Sequence, residues 1–282
     1  VDAMAEFKAA MDLMRRLPPK LIETSLSNTL ALVPDLVDDL LSSVDQPLKV
    51  MKCPETNKEF ILCDYNRDGD SYRSPWTNKY SPPLDDGIVP PDELRRMELT
   101  ANEAFNRYRE LYYEGGVSSC YAWEIDGGFA CAVAVLKTAG PAAMPLPEGE
   151  DPRRTTVSSG GWNAMHVVEG QVGADSKCKY KLTSTVTLTL DSEAKGMASK
   201  SDLSGSLSRS MEKEKTFDPR DPASHVANFG ELIEEMEGRL RDALYEVYFG
   251  KTRQVVSSMR SADDERRAAQ HNLMAEMMAR KK

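Results

Sequence analysis

Asp64, Asn66, Asp68 and Asp70, with Gly69 among them, stand at the spacing of the first half of an EF-hand calcium loop. There, alternate oxygen-bearing side chains converge on a hard cation and a glycine permits the sharp turn. The second half fails: position eight is Ser71, and position twelve, which needs a bidentate glutamate, is Pro75. Phe60-Ile61-Leu62 ahead of the loop has the pattern of a strand, so the expectation is a turn held by Asx-type hydrogen bonds. Gly250-Lys251-Thr252 ends like a phosphate-binding loop, but the leading glycine would fall on Tyr245 and no strand precedes it. His166, His225 and His271 are the only three histidines. They lie far apart without a GxSxG elbow, and His166, in a strand pattern, reads as structural. The neighbouring carboxylates Asp85-Asp86 and Asp263-Asp264 read as solvated charge. No catalytic constellation, cofactor site or metal site is expected, so the chain is read as one that works by binding partners.

The composition narrows the partners. With 282 residues the chain can bury a real core, and its net charge of −9 argues against general nucleic-acid binding, which needs clustered Lys and Arg. The five cysteines, Cys53, Cys63, Cys120, Cys131 and Cys178, are odd in number and form no CxxC pair. That favours a reduced, intracellular chain with inert thiols. The first residues lack an apolar signal core, and no apolar run approaches the ~20 residues a membrane span needs.

Periodicity supplies the elements. Phe7, Met11, Met14 and Leu17 place a helix over 2–17, stopped by Pro18-Pro19. Segments 20–32 and 34–44, parted by Pro34, complete a small antiparallel bundle. From 50 to 90 a stretch rich in Asp, Asn, Gly and Pro carries Tyr65, Tyr72, Trp76 and Tyr80, too many aromatics for a disordered linker, and reads as ordered loop. Residues 92–113 return to helix, with Leu94, Met97, Ala101, Phe105, Tyr108 and Leu111 on one face. Strands 117–125 and 129–137 flank the hairpin signal Asp126-Gly127-Gly128. Residues 139–161 read as a flexible surface insertion. Strands follow at 162–169, 179–190 and around Leu203, Leu207 and Met211, one face apolar and the other polar, as in an antiparallel meander. Asp221-Pro222 then opens a long helix in which Val226, Phe229, Ile233, Met236, Leu240, Ala243 and Val247 recur at heptad spacing. Val255 and Met259 carry it past Gly250, for roughly 50 Å at 1.5 Å per residue. Such a helix lies across a sheet or against a partner. The expected organisation is thus 1–50 helical, 51–114 aromatic-rich loop and helix, 115–216 sheet, 221–261 long helix and 263–282 a separate amphipathic tail.

The tail sets Ala269, Leu273 and Met277 at i, i+4 and i+8, with Met274 and Met278 beside them and Arg266, Arg267, Arg280, Lys281 and Lys282 around the stripe. It is either a terminus packed on its own domain or a binding arm. Burying three or four such side chains yields on the order of 5–10 kcal/mol gross, while ordering some 15 residues costs about 1 kcal/mol or more each. Alone it would bind weakly, and would matter when the rest of the molecule holds it near its target.

Taken together, LMRRLPP at 13–19, DLLSSVDQPLK at 39–49, LCDYNRDGDSYRSPWTNKY at 62–80, LYYEGGVSS at 111–119, YKLTSTV at 180–186, GSLSRSMEK at 205–213 and YFGKT at 248–252 resemble the β subunit family of the heterodimeric F-actin capping protein (CapZ). The resemblance spans nearly the whole chain. It implies an α+β fold: an N-terminal helical stalk, an antiparallel β-sheet of which each subunit supplies half, a long C-terminal helix across the sheet and an amphipathic tail helix. The chain would be half of a pseudo-symmetric, obligate heterodimer with an α subunit. That dimer blocks subunit exchange at the barbed, fast-growing end of actin filaments in the cytoplasm, or serves as a structural capping subunit of dynactin on an actin-related filament. The resemblance further implies modulation by phosphoinositides and by proteins carrying a capping-protein-interaction motif, for which Arg16, Asp45, Asp64 and Tyr80 are the matching stalk positions. It assigns Ala269, Leu273, Met274, Met277, Met278, Arg266 and Arg267 to an actin-binding tentacle, and Val226, Phe229, Ile233, Met236, Leu240 and Val247 to the α-subunit interface.

Overall fold

The computed structural model describes residues 3–17, 21–37, 40, 48–113, 115–143, 156–173, 175–194 and 200–245. The chain divides into two compact units, Val1–Ile233 and Glu234–Lys282.

The first unit begins with helices α1 (Ala3–Arg16) and α2 (Ile22–Leu32) and a 3₁₀ turn at Pro34–Leu36. Ala10, Leu26, Leu36 and Leu40 are buried between them, with Phe7, Met11, Met14, Leu30 and Val33 packed around. This is the apolar stripe expected of α1. The Thr29 hydroxyl, which donates to the Ser25 carbonyl (2.8 Å), also reaches the Met14 sulfur (3.4 Å). Most of the third expected helix lies outside the described residues.

Between 48 and 91 the loop reading needs correction, because short strands run through it. Strands β1 (Lys49–Lys52) and β2 (Glu59–Leu62) form a hairpin, and β3 (Arg67–Asp68), β4 (Ser71–Arg73) and β5 (Tyr80–Ser81) a second small sheet. The would-be calcium loop is the turn between them. Asp64–Asn66 is a 3₁₀ turn, and Gly69 takes the left-handed φ of +56° that the β3–β4 reversal requires. Buried Asn66 clamps the turn as an Asx-type residue should. It accepts from the Cys63 N–H (3.0 Å) and donates to the carbonyls of Arg73 (3.0 Å) and Ile61 (3.4 Å). Among the described residues no cluster of His, Cys, Asp or Glu could hold a metal ion.

Helix α3 (Asp92–Tyr113) follows. Met97, Ala101 and Phe105 are buried as expected, but Leu111 is 78% exposed and Tyr113 is buried instead. Behind α3 lies the main sheet of five antiparallel strands in the order β10-β9-β8-β7-β6. Its strands are β6 (Val117–Ile125), β7 (Gly128–Ala143), β8 (Thr156–Val172), β9 (Lys177–Ala194) and β10 (Lys200–Thr216). Ile125 pairs with Gly128 across the Asp126-Gly127 turn, where Gly127 has φ +77°. The insertion reading of 139–161 is also corrected at both ends. β7 and β8 continue into it, with Ala142 opposite Ser158 and Ala143 opposite Val157. Burial is graded across the sheet. Every residue of β6 from Ser118 to Ala122 and of β7 from Phe129 to Val135 is buried, whereas β9 alternates, with Tyr180, Leu182, Ser184 and Val186 inward. On its polar face Thr183 and Thr185 meet Ser210 and Ser208 of β10 at 3.1 Å.

Helix α4 (Pro222–Tyr245) starts as its sequence predicts: the Asp221 carboxylate accepts from the Ala223 N–H at 2.9 Å. Its first turns lie on the inward face of the sheet. Phe229 stacks on Phe105 (6.2 Å, 2°), and His225 Nδ1 meets the Tyr180 hydroxyl at 2.7 Å. The described part of the second unit, 234–245, is the rest of this helix, with Arg239 paired to Glu235 and Arg241 to the buried Glu237. No described helix is long and apolar enough to cross a membrane.

Candidate partner interface

The two edges of the main sheet are finished differently. At β6, the backbone groups facing away from β7 are taken up by side chains. Asn102 of α3 donates to the Cys120 carbonyl (2.9 Å) and accepts from the Cys120 N–H (2.9 Å), while the Ala122 N–H donates to Glu98 Oε2 (2.8 Å). Strand β2 is tied to the same strand. The Ile61 N–H donates to the Ser119 hydroxyl (2.9 Å), and the Tyr121 hydroxyl donates to the Ile61 carbonyl (2.6 Å). At the opposite edge, no described strand pairs with the outer side of β10. This 17-residue strand is long, and along it Ser206, Ser208, Ser210, Glu212 and Glu214 are exposed while Leu207 and Met211 are half-buried. An open edge of this length is a template for another chain's strand.

Glu98 is the hub of the closed side. It is fully buried and is gripped by both terminal nitrogens of Arg73 (2.9 and 2.7 Å) and by Arg95. Arg73 is 3% exposed, and burial opposes its charge. The hydrogen bonds and negative charge of Glu98 outweigh that and hold its pKa raised. Arg73 also donates to Asn78 Oδ1 at 2.7 Å. The 62–80 motif is therefore joined through one carboxylate to α3 and to the sheet edge. Inside this framework burial pushes the Cys63 thiol up to about 12. All five cysteines are free.

Residues 7–256 match the family model described as F-actin capping protein, beta subunit. The chain belongs to that family. It is 48% identical over 259 residues to the F-actin-capping protein subunit beta of Emericella nidulans, covering 92% of this chain and 91% of that protein. To the subunit beta of Drosophila melanogaster it is 46% identical over 281 residues, covering 98% and 96%. To that of Dictyostelium discoideum it is 48% identical over 257 residues, covering 91% and 90%. In fold it is similar to the homodimeric actin capping protein alpha subunit from Plasmodium berghei, with a TM-score of 0.54 at 17% identity, over 92% of this chain and 96% of that one.

The capping-protein positions expected from sequence fall into three groups. Of the seam residues, Val226, Phe229, Ile233, Met236 and Leu240 are at most 5% exposed within this chain alone. Each is therefore shielded from solvent, as heptad spacing leads one to expect of a covered face. Val247 lies outside the described residues. So do all the tentacle residues, Arg266, Arg267, Ala269, Leu273, Met274, Met277 and Met278, and the stalk residue Asp45. Arg16 is the last residue of α1, and Asp64, exposed, opens the 3₁₀ turn before β3. Tyr80 in β5 donates to the Ile88 carbonyl (2.6 Å), and burial raises its phenol pKa. Sequence reasoning missed Glu98, Asn102 and Arg73. The available signal was polar residues at i and i+4, Glu98 and Asn102, flanking the buried stripe Met97, Ala101 and Phe105.

Proposed function

We propose that this chain is the β subunit of a heterodimer with a capping protein α subunit, and that the dimer binds the barbed end of actin filaments and blocks subunit addition and loss there. The observation that carries the reading is the contrast between the sheet's edges: β6 is sealed by Asn102 and Glu98, while no described strand pairs with the outer side of β10. A half-sheet with one finished edge is what a two-part sheet requires of each part. Likeness to an α subunit's fold supports a partner of similar build, and the names of the relatives supply the target. The dimer acts by binding and works in the cytoskeleton.

Two further assignments belong to the same proposal. Leu273, Met274, Met277, Met278 and Ala269, with Arg266 and Arg267 around them, form an auxiliary arm that enters an apolar cleft on an actin subunit once the dimer body holds it there. Arg16, Asp45, Asp64 and Tyr80 contribute to a docking place for regulators on the stalk. Barbed-end elongation, measured with the αβ dimer with and without residues 263–282, tests the reading. Full-length dimer should stop elongation, and truncation should weaken the block. Unchanged elongation at micromolar full-length dimer would overturn capping, and a truncated dimer as potent as the full one would overturn the arm.

A further inference from the structure

A cavity of about 390 Å³ lies where the start of α3, the β6–β7 turn and the segment from Phe217 to Pro222 meet. It is remote in sequence from both the stalk and the tail. Leu94, Met97, Phe129 and Val172 make part of its lining apolar. One wall is aromatic. His225 stacks on Phe217 (4.3 Å, 28°) and meets Phe129 edge-on (4.8 Å, 71°). Burial lowers the His225 pKa, which keeps this ring neutral. Four exposed carboxylates, Glu93, Glu124, Asp218 and Asp221, also line it, and no lysine or arginine does.

The carboxylates differ in what they have left to give. Asp218 and Asp221 each commit Oδ1 to a backbone N–H of their own turn, of Arg220 and Ala223, both at 2.9 Å. Glu93 and Glu124 make no hydrogen bond or ion pair among the described residues. An apolar, aromatic lining that also carries unspent negative charge suits a side chain with a hydrocarbon stem and a cationic head. A bare metal ion would meet carbon on most sides, where it needs oxygen. Four carboxylates also exceed the charge of a single free amine, which favours a basic segment over a small molecule.

We propose that this cavity receives a lysine or arginine side chain from a basic segment of a partner protein, with the stem on Leu94, Met97 and Phe129 and the head between Glu93 and Glu124. This goes beyond the capping reading and does not depend on it. Fluorescence anisotropy of fluorescein-labelled tetralysine, titrated with the full chain in complex with an α subunit, tests it. Glu93→Gln with Glu124→Gln should raise the Kd about fivefold or more, whereas Glu103→Gln with Glu110→Gln, an equal charge change elsewhere on α3, should leave it within about twofold. Tetraornithine, of the same charge but with a stem one methylene shorter, should bind about threefold more weakly than tetralysine. Equal losses in the two double variants, no loss in either, or equal binding of the two probes would each overturn the proposal. Thermal unfolding of the Glu93/Glu124 variant at pH 7.5, where His225 is neutral, should fall within about 1 kcal/mol of the parent, since neither carboxylate has a hydrogen bond or ion pair among the described residues to lose and only the first-turn charge of Glu93 on α3 is removed.

Discussion

Asn102 faces Cys120 as though it were the next strand: its amide donates to the Cys120 carbonyl and accepts from the Cys120 N–H, both at 2.9 Å. A primary amide has the donor and acceptor of a peptide group, so one helical side chain completes the ladder where β6 would otherwise be left unpaired. Asn102→Ala orphans two buried backbone groups and should cost about 2–4 kcal/mol. Urea unfolding of the purified dimer measures it, and a loss below ~1 kcal/mol would deny the amide this role.

The Arg73–Glu98 pair predicts a steeper penalty on one side than its net worth suggests. Arg73→Met leaves Glu98, fully buried, with Arg95 alone for charge, and should destabilise the fold by roughly 3–5 kcal/mol. Arg73→Lys should recover only part of this, because an ammonium cannot repeat the two-pronged grip. Equal stability of the Lys variant and the parent would show that charge alone suffices.

Phe229 separates core from interface. It is fully buried and stacked on Phe105, so Phe229→Ala should lower global stability by about 3–5 kcal/mol. Affinity for the α subunit, measured below the unfolding temperature, should stay nearly constant. A variant of native stability that no longer dimerises would return Phe229 to the interface.

His225 sets a pH dependence. Burial lowers its pKa below 6.5, with Glu93 partly offsetting this, and its Nδ1 lies 2.7 Å from the Tyr180 hydroxyl. The unfolded chain takes up the proton near pH 6.5 and the folded chain at lower pH. The contribution is therefore complete above pH 6.5 and is lost as pH falls through the window below it. Urea midpoints at pH 7.5 and 5.5 should differ less in His225→Gln than in the parent. An unchanged difference would rule the ring out.

The open β10 edge predicts how the chain behaves alone. Expressed without an α subunit it should aggregate through that edge, and co-expression should return it to solution as a one-to-one complex, as size-exclusion chromatography would show. A stable, dispersed monomer would contradict the edge reading.

Long periodic segments are legible in the amino-acid sequence. The stripe of α1, the run 92–113 and the Asp221-Pro222 start of α4 all lie where periodicity and caps put them, and so does the Asp126-Gly127 reversal. Strands β1 and β3 to β5 are not legible, because two to four residues carry no period. The arms of β7 and β8 inside 139–161 are hidden by alanine, glycine and proline in the first and by glycine, serine and threonine in the second, whose composition resembles a loop. The heptad spacing of Val226 to Leu240 marks a buried face correctly; spacing says that a face is covered, not by what. Glu98 and Asn102 escape notice because a polar residue beside an apolar stripe reads as solvent-facing until its partner strand is known.

The sealed β6 edge has a consequence for counting. Were both sides of the sheet available, each added chain would expose a fresh edge, and growth would run on as a fibre. With Asn102 and Glu98 occupying one side, the described sheet offers a further strand only its other side. Two such half-sheets that meet through their free sides use up every vacancy, and the polymer terminates at its first step.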